Sequence, residues 1–168
     1  MFIDETWAKD NMTRQYGRCR KGQRLIDKVP LAKWHTTTFV AGLRCDGLTA
    51  PMVLDKPING AWFLAYVEQV LCPALKPGDI VLMDHLGSHL SHRVGELIEG
   101  CKASLVYLPK YSPDLNPIEM AFSQLKSGLR KAAERSTEQL WTRIGQLCDT
   151  ITPQQCANYF KAAGYGAA

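Results

Sequence analysis

The sequence predicts an α/β fold: a mixed five-stranded sheet with helices packed on both faces. Three observations carry this. Three apolar runs come first, Met1 to Asp4, Trp34 to Leu43 (rich in β-branched and aromatic residues) and Leu48 to Leu54, as an antiparallel β1-β2-β3 meander. Two further apolar runs, Ile80 to Met83 and Ala103 to Leu108, are too short for helices between their breakers and read as buried parallel strands β4 and β5. Segments with helical spacing separate and follow them. The 168 residues, 46% hydrophobic and 21% charged, suit one globular domain spanning 1–168.

Each element has its own signal. Met1 to Asp4 is a short apolar run ending on an acid, read as a strand cut off at its start. Residues 10–33 are polar and basic, with Arg14, Arg18, Arg20, Lys21, Arg24, Lys28 and Lys33 against Asp10 and Asp27. That segment is either a solvated loop or hairpin, or an arm that touches phosphates. Trp34 to Leu43 and Leu48 to Leu54 flank Asp46-Gly47, a hairpin signal. Gly60 to Leu71 has helical spacing, with Pro73 and Pro77-Gly78 expected to stop it.

A helix from Ser91 to Glu99 follows the loop after Asp84. After the fifth strand, a turn built from Pro109, Tyr111, Ser112 and Pro113 leads to a helix from Asn116 to Ala133. Asn116 is expected to cap it and Pro117 to fill its first position, with Glu119 in the first turn. Ser136 and Thr152-Pro153 begin two more helices.

Composition excludes several classes. The net charge of +4 permits a nucleic-acid partner without requiring one. The six cysteines form no CxxC pair, and they read as reduced, mostly buried thiols of a cytosolic protein. No apolar run approaches membrane-spanning length, and the N-terminus has no signal-peptide pattern. A soluble intracellular protein without a membrane partner is expected.

The chemistry concentrates in three acids. Asp4 and Asp84 are expected at the ends of core strands, at the rim where ligands of open α/β sheets collect. They become neighbours if the meander runs 3-2-1 and the crossover sets strand four beside strand one. The helix carrying Glu119 can lean over the same rim. Three such carboxylates repel one another unless a divalent cation lies between them, and hard oxygen ligands suit Mg²⁺ or Mn²⁺.

Each acid also has a plain structural reading: strand-end acid, turn acid ahead of Gly87 and Ser88, and capping-box partner of Asn116. His85, His89 and His92 are too loosely spaced for a zinc site. His89 suits a supporting or DNA-facing role, as do His85 and Asn116. Asp114 is a turn residue, and Glu5 points to the face opposite Asp4.

FIDE at 2–5, VLMDHLGSH at 81–89 and LPKYSPDLNPIEMAFSQLK at 108–126 closely resemble the DDE transposases of IS630-type insertion sequences, relatives of the Tc1/mariner elements. Thirty-four residues lie between Asp84 and Glu119, similar to the DD34E arrangement of that group. The resemblance implies an RNase H-like fold and two Mg²⁺ (or Mn²⁺) ions held by Asp4, Asp84 and Glu119. It implies hydrolysis at transposon ends and attack of the freed 3′-hydroxyl on target DNA, typically at TA. It further implies a homodimer on DNA and a bacterial, nucleoid-associated location.

His85 stands where the family usually has Asn, and Phe122 where it often has Trp. The helix-turn-helix domains of full-length relatives are not found here, so the resemblance implies the catalytic half alone: either one frame of a split element, with a separate helix-turn-helix chain from an upstream frame, or a truncated gene. Lys110, Lys126 and Arg130, with Arg18, Arg20 and Lys21 of the basic segment, are the candidate phosphate contacts. Two other functions stay open: an RNase H-like endonuclease without strand transfer, and an inactive or recruited remnant that only binds DNA or a partner.

Overall fold

The computed structural model describes residues 1–30, 34–87 and 89–166. Lys33 and Ser88, named above, lie outside the described residues. The five strands are ordered β3-β2-β1-β4-β5. β1 (Phe2–Lys9) pairs antiparallel with β2 (Thr36–Arg44), and β2 with β3 (Gly47–Leu54). β4 (Ile80–Met83) and β5 (Ser104–Tyr107) extend the sheet in parallel on the other side of β1. The expected meander and crossover are both present.

β1 is longer than its apolar start suggests. Its ladder to β2 runs unbroken from Phe2↔Leu43 to Lys9↔Thr36, so Asp4 sits inside the strand rather than at its end. Thr6 and Trp7 favour extended backbone and carry the strand onward. On its other edge, β1 meets β4 only at Phe2↔Leu82, and β4 stops at Met83. The sheet therefore forks just beyond that pair.

Alternation along the strands divides two cores between the faces. Phe2, Ala8, Phe39, Ala41 and Leu43 pack with α4 (Ile118–Ala132), α5 (Thr137–Cys148) and α6 (Pro153–Ala162). Ile3, Val40, Val81 and Met83 pack against α1 (Gly60–Tyr66) and α3 (His92–Gly100). Helices thus cover both faces, as expected.

The first helix does not end at Pro73. It continues from α1 as a π turn (Val67–Leu71) into α2 (Cys72–Ala74). In the π turn each N–H reaches one residue further back, as Cys72 N–H does to Val67 O, and the widened turn tolerates the donor that Pro73 lacks.

The start of α4 also departs from expectation. Pro117 occupies the cap position and no side chain caps the helix. The backbone carbonyl of Asn116 accepts from Glu119 N at 3.2 Å, while the Asn116 side chain turns elsewhere. α5 begins as expected, with Ser136 accepting from Gln139 N, and α6 has a full capping box between Thr152 and Gln155.

Residues 13–30 form a largely exposed arm without helix or strand. Its base is tied down by Arg135 Nη1, which donates to the carbonyls of Asp10 and Met12. No helix among the described residues is long and apolar enough to cross a membrane.

Phe122 is 1% exposed and meets Phe39 edge-on at 5.8 Å, joining α4 to the sheet. Phe122→Ala is expected to lower the unfolding free energy by about 3–5 kcal/mol in urea titration. A loss below about 1 kcal/mol would mean that α4 is not anchored through this ring.

Candidate active site

The fork in the sheet builds the site. Extending the β1–β4 register by two residues sets Asp4 opposite Asp84, just past the last residue of β4. Asp4 is 5% exposed. Its Oδ1 accepts from Glu5 N at 2.7 Å, and its Oδ2 accepts from Asn116 Nδ2 at 2.8 Å. The Asn116 side chain, expected both to cap α4 and to support the site, does not cap; it binds a carboxylate across 112 residues.

Burial pushes the Asp4 carboxyl up to about 7. The Glu5 N–H bond opposes this, and the nearby charges of Asp84, Glu5 and Glu119 reinforce it. Asn116 Oδ1 is buried without a hydrogen-bond partner among the described residues.

Asp84 has a different environment. Burial opposes its ionisation, yet His89, the Leu86 N–H and His85 outweigh it and lower its pKa. His89 is fully buried, with its ring 4.1 Å from that of Phe63. Its Nε2 lies 2.8 Å from Glu5 Oε2, in good hydrogen-bonding geometry. Its Nδ1 lies 2.7 Å from Asp84 Oδ1, an ion-pair contact out of line for a hydrogen bond.

Burial works against a charged His89, but the two carboxylates dominate and raise it to about 9. The imidazolium's contribution to stability is full below the ordinary histidine pKa and is lost as pH rises through about 9.

Glu119 completes the set from the exposed first turn of α4. Asp4, Asp84 and Glu119 line one cleft of about 420 Å³, together with His85, Lys110, Tyr111 and Asn116. His85 is fixed by Nδ1–H donating to Leu108 O at 2.8 Å. Among the described residues, no three His, Cys, Asp or Glu side chains stand close enough to enclose an ion by themselves. Clustered hard oxygen donors, with Asp4 resisting ionisation beside two like charges, still fit a divalent cation. Mg²⁺ takes one or two carboxylates and fills its other positions with water and phosphate oxygens.

The family described as DDE superfamily endonuclease matches residues 1–141. The chain belongs to this family. Among solved structures, a Mos1 transposase paired-end complex with left transposon end matches at TM-score 0.72 and 18% identity, over 96% of this chain and 50% of that one. A Mos1 mariner paired end complex with Mn matches at TM-score 0.67 and 18% identity, over 96% and 50%. The catalytic domain of Mos1 mariner transposase matches at TM-score 0.62 and 16% identity, over 96% and 74%. These likenesses give the fold, an RNase H-like sheet. The chain spans about half the length of the Mos1 chains in the two complexes. No curated protein matches it.

The basic residues of this member of the DDE superfamily endonuclease family lie in separate places. Lys110 lines the cleft. Lys126 lies with Nζ 4.7 Å from the Trp7 ring centre. Burial lowers its pKa against the pull of Glu119 and Asp4. Arg130 lines a second groove with Lys131, Ser123 and Ser127 of α4 and Arg14 and Tyr16 of the arm. Arg18, Arg20 and Lys21 are exposed on the arm and line neither groove. His92 is exposed and pairs with Glu96, and Asp114 is exposed and does not line the cleft.

Sequence reasoning missed the role of Glu5. Alternation correctly put it on the face opposite Asp4, but no local signal announced a partner 84 residues away.

The folded-state pKa of Asp4 lies above the ordinary carboxyl value. Its contribution to stability is therefore full below about pH 4 and is lost as pH rises to about 7. Metal-free Asp4→Asn is expected to unfold with on the order of 2 kcal/mol more free energy than the native chain at pH 7.5. Asn at position 4 still accepts from Glu5 N, and a turned Asn116 amide offers it the unpartnered Oδ1. The difference should close near pH 4. Equal urea stability at pH 7.5 would contradict a strained Asp4.

Proposed function

We propose that this chain is the catalytic part of a DNA transposase of the IS630 type within the Tc1/mariner group. It hydrolyses a phosphodiester at transposon ends and joins the freed 3′-hydroxyl to target DNA. The observation that carries this reading is the meeting of Asp4, Asp84 and Glu119 in one cleft, from strand, strand end and helix far apart in sequence. The DD34E spacing and the YSPDLNPIE run support the IS630 type.

Asp4, Asp84 and Glu119 would hold two Mg²⁺ or Mn²⁺ ions. When bound, such ions activate the attacking oxygen and stabilise the leaving oxygen of a phosphodiester. The protein's own work is positioning. Asn116 and the Glu5 N–H fix both oxygens of Asp4, so its carboxylate cannot rotate freely. The Leu86 N–H donates to Asp84 Oδ1 at 3.0 Å and fixes that side chain in turn.

Lys110 and the fully exposed Tyr111 stand at the mouth of the cleft, where a phosphate backbone enters. The groove between the arm and α4 contains Arg14, Arg130 and Lys131 with no acid in its lining, and it suits the backbone of the same DNA. The solved Mos1 relatives include paired-end complexes. Two copies of this chain acting on two ends is the corresponding assembly.

Two measurements test this. Asp84→Asn is expected to lower Mg²⁺-dependent cleavage and joining of labelled end DNA by at least roughly a hundredfold. Full activity in that variant would sink the assignment, and cleavage by the native chain without joining would reduce it to an endonuclease. Arg130→Ala should reduce the slope of log K against log [salt] for DNA binding by about one. An unchanged slope would remove Arg130 from the DNA path.

A further inference from the structure

Glu5 lies on the opposite face of β1 from Asp4, yet it reaches the site. The His89 ring occupies the space between Glu5 and Asp84, buried against Phe63. The ring's two nitrogens face the two carboxylates, at 2.8 Å from Glu5 and 2.7 Å from Asp84. The loop that carries His89 is held as well: Tyr107 O–H donates to His89 O at 2.9 Å, and His89 N donates to Leu86 O at 2.9 Å. Leu86 N in turn donates to Asp84 Oδ1. Ring and backbone of one short loop thus converge on a single oxygen of Asp84, Oδ1, and Asp84 lines the cleft.

We infer that Glu5 is a positioning residue for Asp84, acting through His89 as a brace from the far face of the sheet. The brace deepens the proposed function and rests on Asp84 being a metal ligand. Its physical basis is mechanical. A carboxylate that follows the last residue of a strand has no ladder to hold it. A planar ring wedged between two acids, with Phe63 against its face, restricts Asp84 to one orientation. Outer partners of this kind orient ligands, and losing one costs about 10–100-fold in metal affinity or activity. Glu5 itself touches neither substrate nor ion.

Two conservative variants separate reach from charge. Glu5→Gln keeps the length and an amide oxygen for the His89 N–H. Glu5→Asp keeps the charge but withdraws the carboxylate by one methylene. Mn²⁺ binding to the DNA-free full chain, followed by the electron paramagnetic resonance of free Mn²⁺, is the readout. Urea unfolding without metal checks that each variant is folded.

The expected result is a Kd for Mn²⁺ about tenfold or more higher in Glu5→Asp and close to native in Glu5→Gln. Native affinity in Glu5→Asp overturns the brace, as does a loss in Glu5→Gln equal to or larger than that in Glu5→Asp. Asp84→Asn, measured in parallel, distinguishes the two levels. Undiminished Mn²⁺ binding there overturns the site assignment beneath the brace. Loss there with native behaviour in Glu5→Asp overturns the brace alone.

Discussion

A carboxylate buried inside a β-strand is the constraint on which the rest of this structure depends. Asp4 cannot shift without breaking the ladder that runs along the whole of β1. Nor can it ionise easily, because burial and three neighbouring carboxylates resist the charge. In a stable fold a buried, unpaired acid is a liability. Here the hydrogen bonds from Asn116 and the Glu5 N–H lessen that cost without neutralising the group. A carboxylate kept short of a positive partner suits the cation site proposed here.

The helix that carries Glu119 is organised around the same constraint. Asparagine before a helix ordinarily caps it, for about 1 kcal/mol. In α4 the cap hydrogen bond is given up and the amide is tied to Asp4 instead. The backbone carbonyl of Asn116 takes over at the helix start. One residue therefore fixes the helix to the strand and sets Glu119 relative to Asp4. The apolar face of α4, with Ile118, Phe122, Leu125 and Leu129 buried, supplies the packing that makes this exchange tolerable.

Much of this was legible in the sequence, because period and punctuation are local. Ile80 to Met83 reads as a buried strand from its length and flanks, and the strand order follows from connection rules. The meeting of the three acids could be argued once those elements were placed. What escaped was non-local. The extension of β1 past Asp4 depends on pairing with β2, not on its own polarity. The π turn ahead of Pro73 goes with the packing of Val67 and Leu71 in the core. Asn116 has equally good local reasons to cap, and only the fold puts Asp4 within its reach. Glu5 and His89 carry no shared motif, and their contact exists only because β1 lies beside β4.

β1 and β4 share a single pair, Phe2↔Leu82. Beyond it the two strands are prongs, each fastened to a different outer neighbour: β1 to β2 as far as Lys9, β4 to β5 at Met83. The gap between the first two acids is then set by where the zipper of backbone hydrogen bonds stops. Neither acid determines it, and neither core alone can close it. The sheet works as a caliper whose opening is fixed at the crotch, so the spacing of these two side chains and their identity can vary independently of each other.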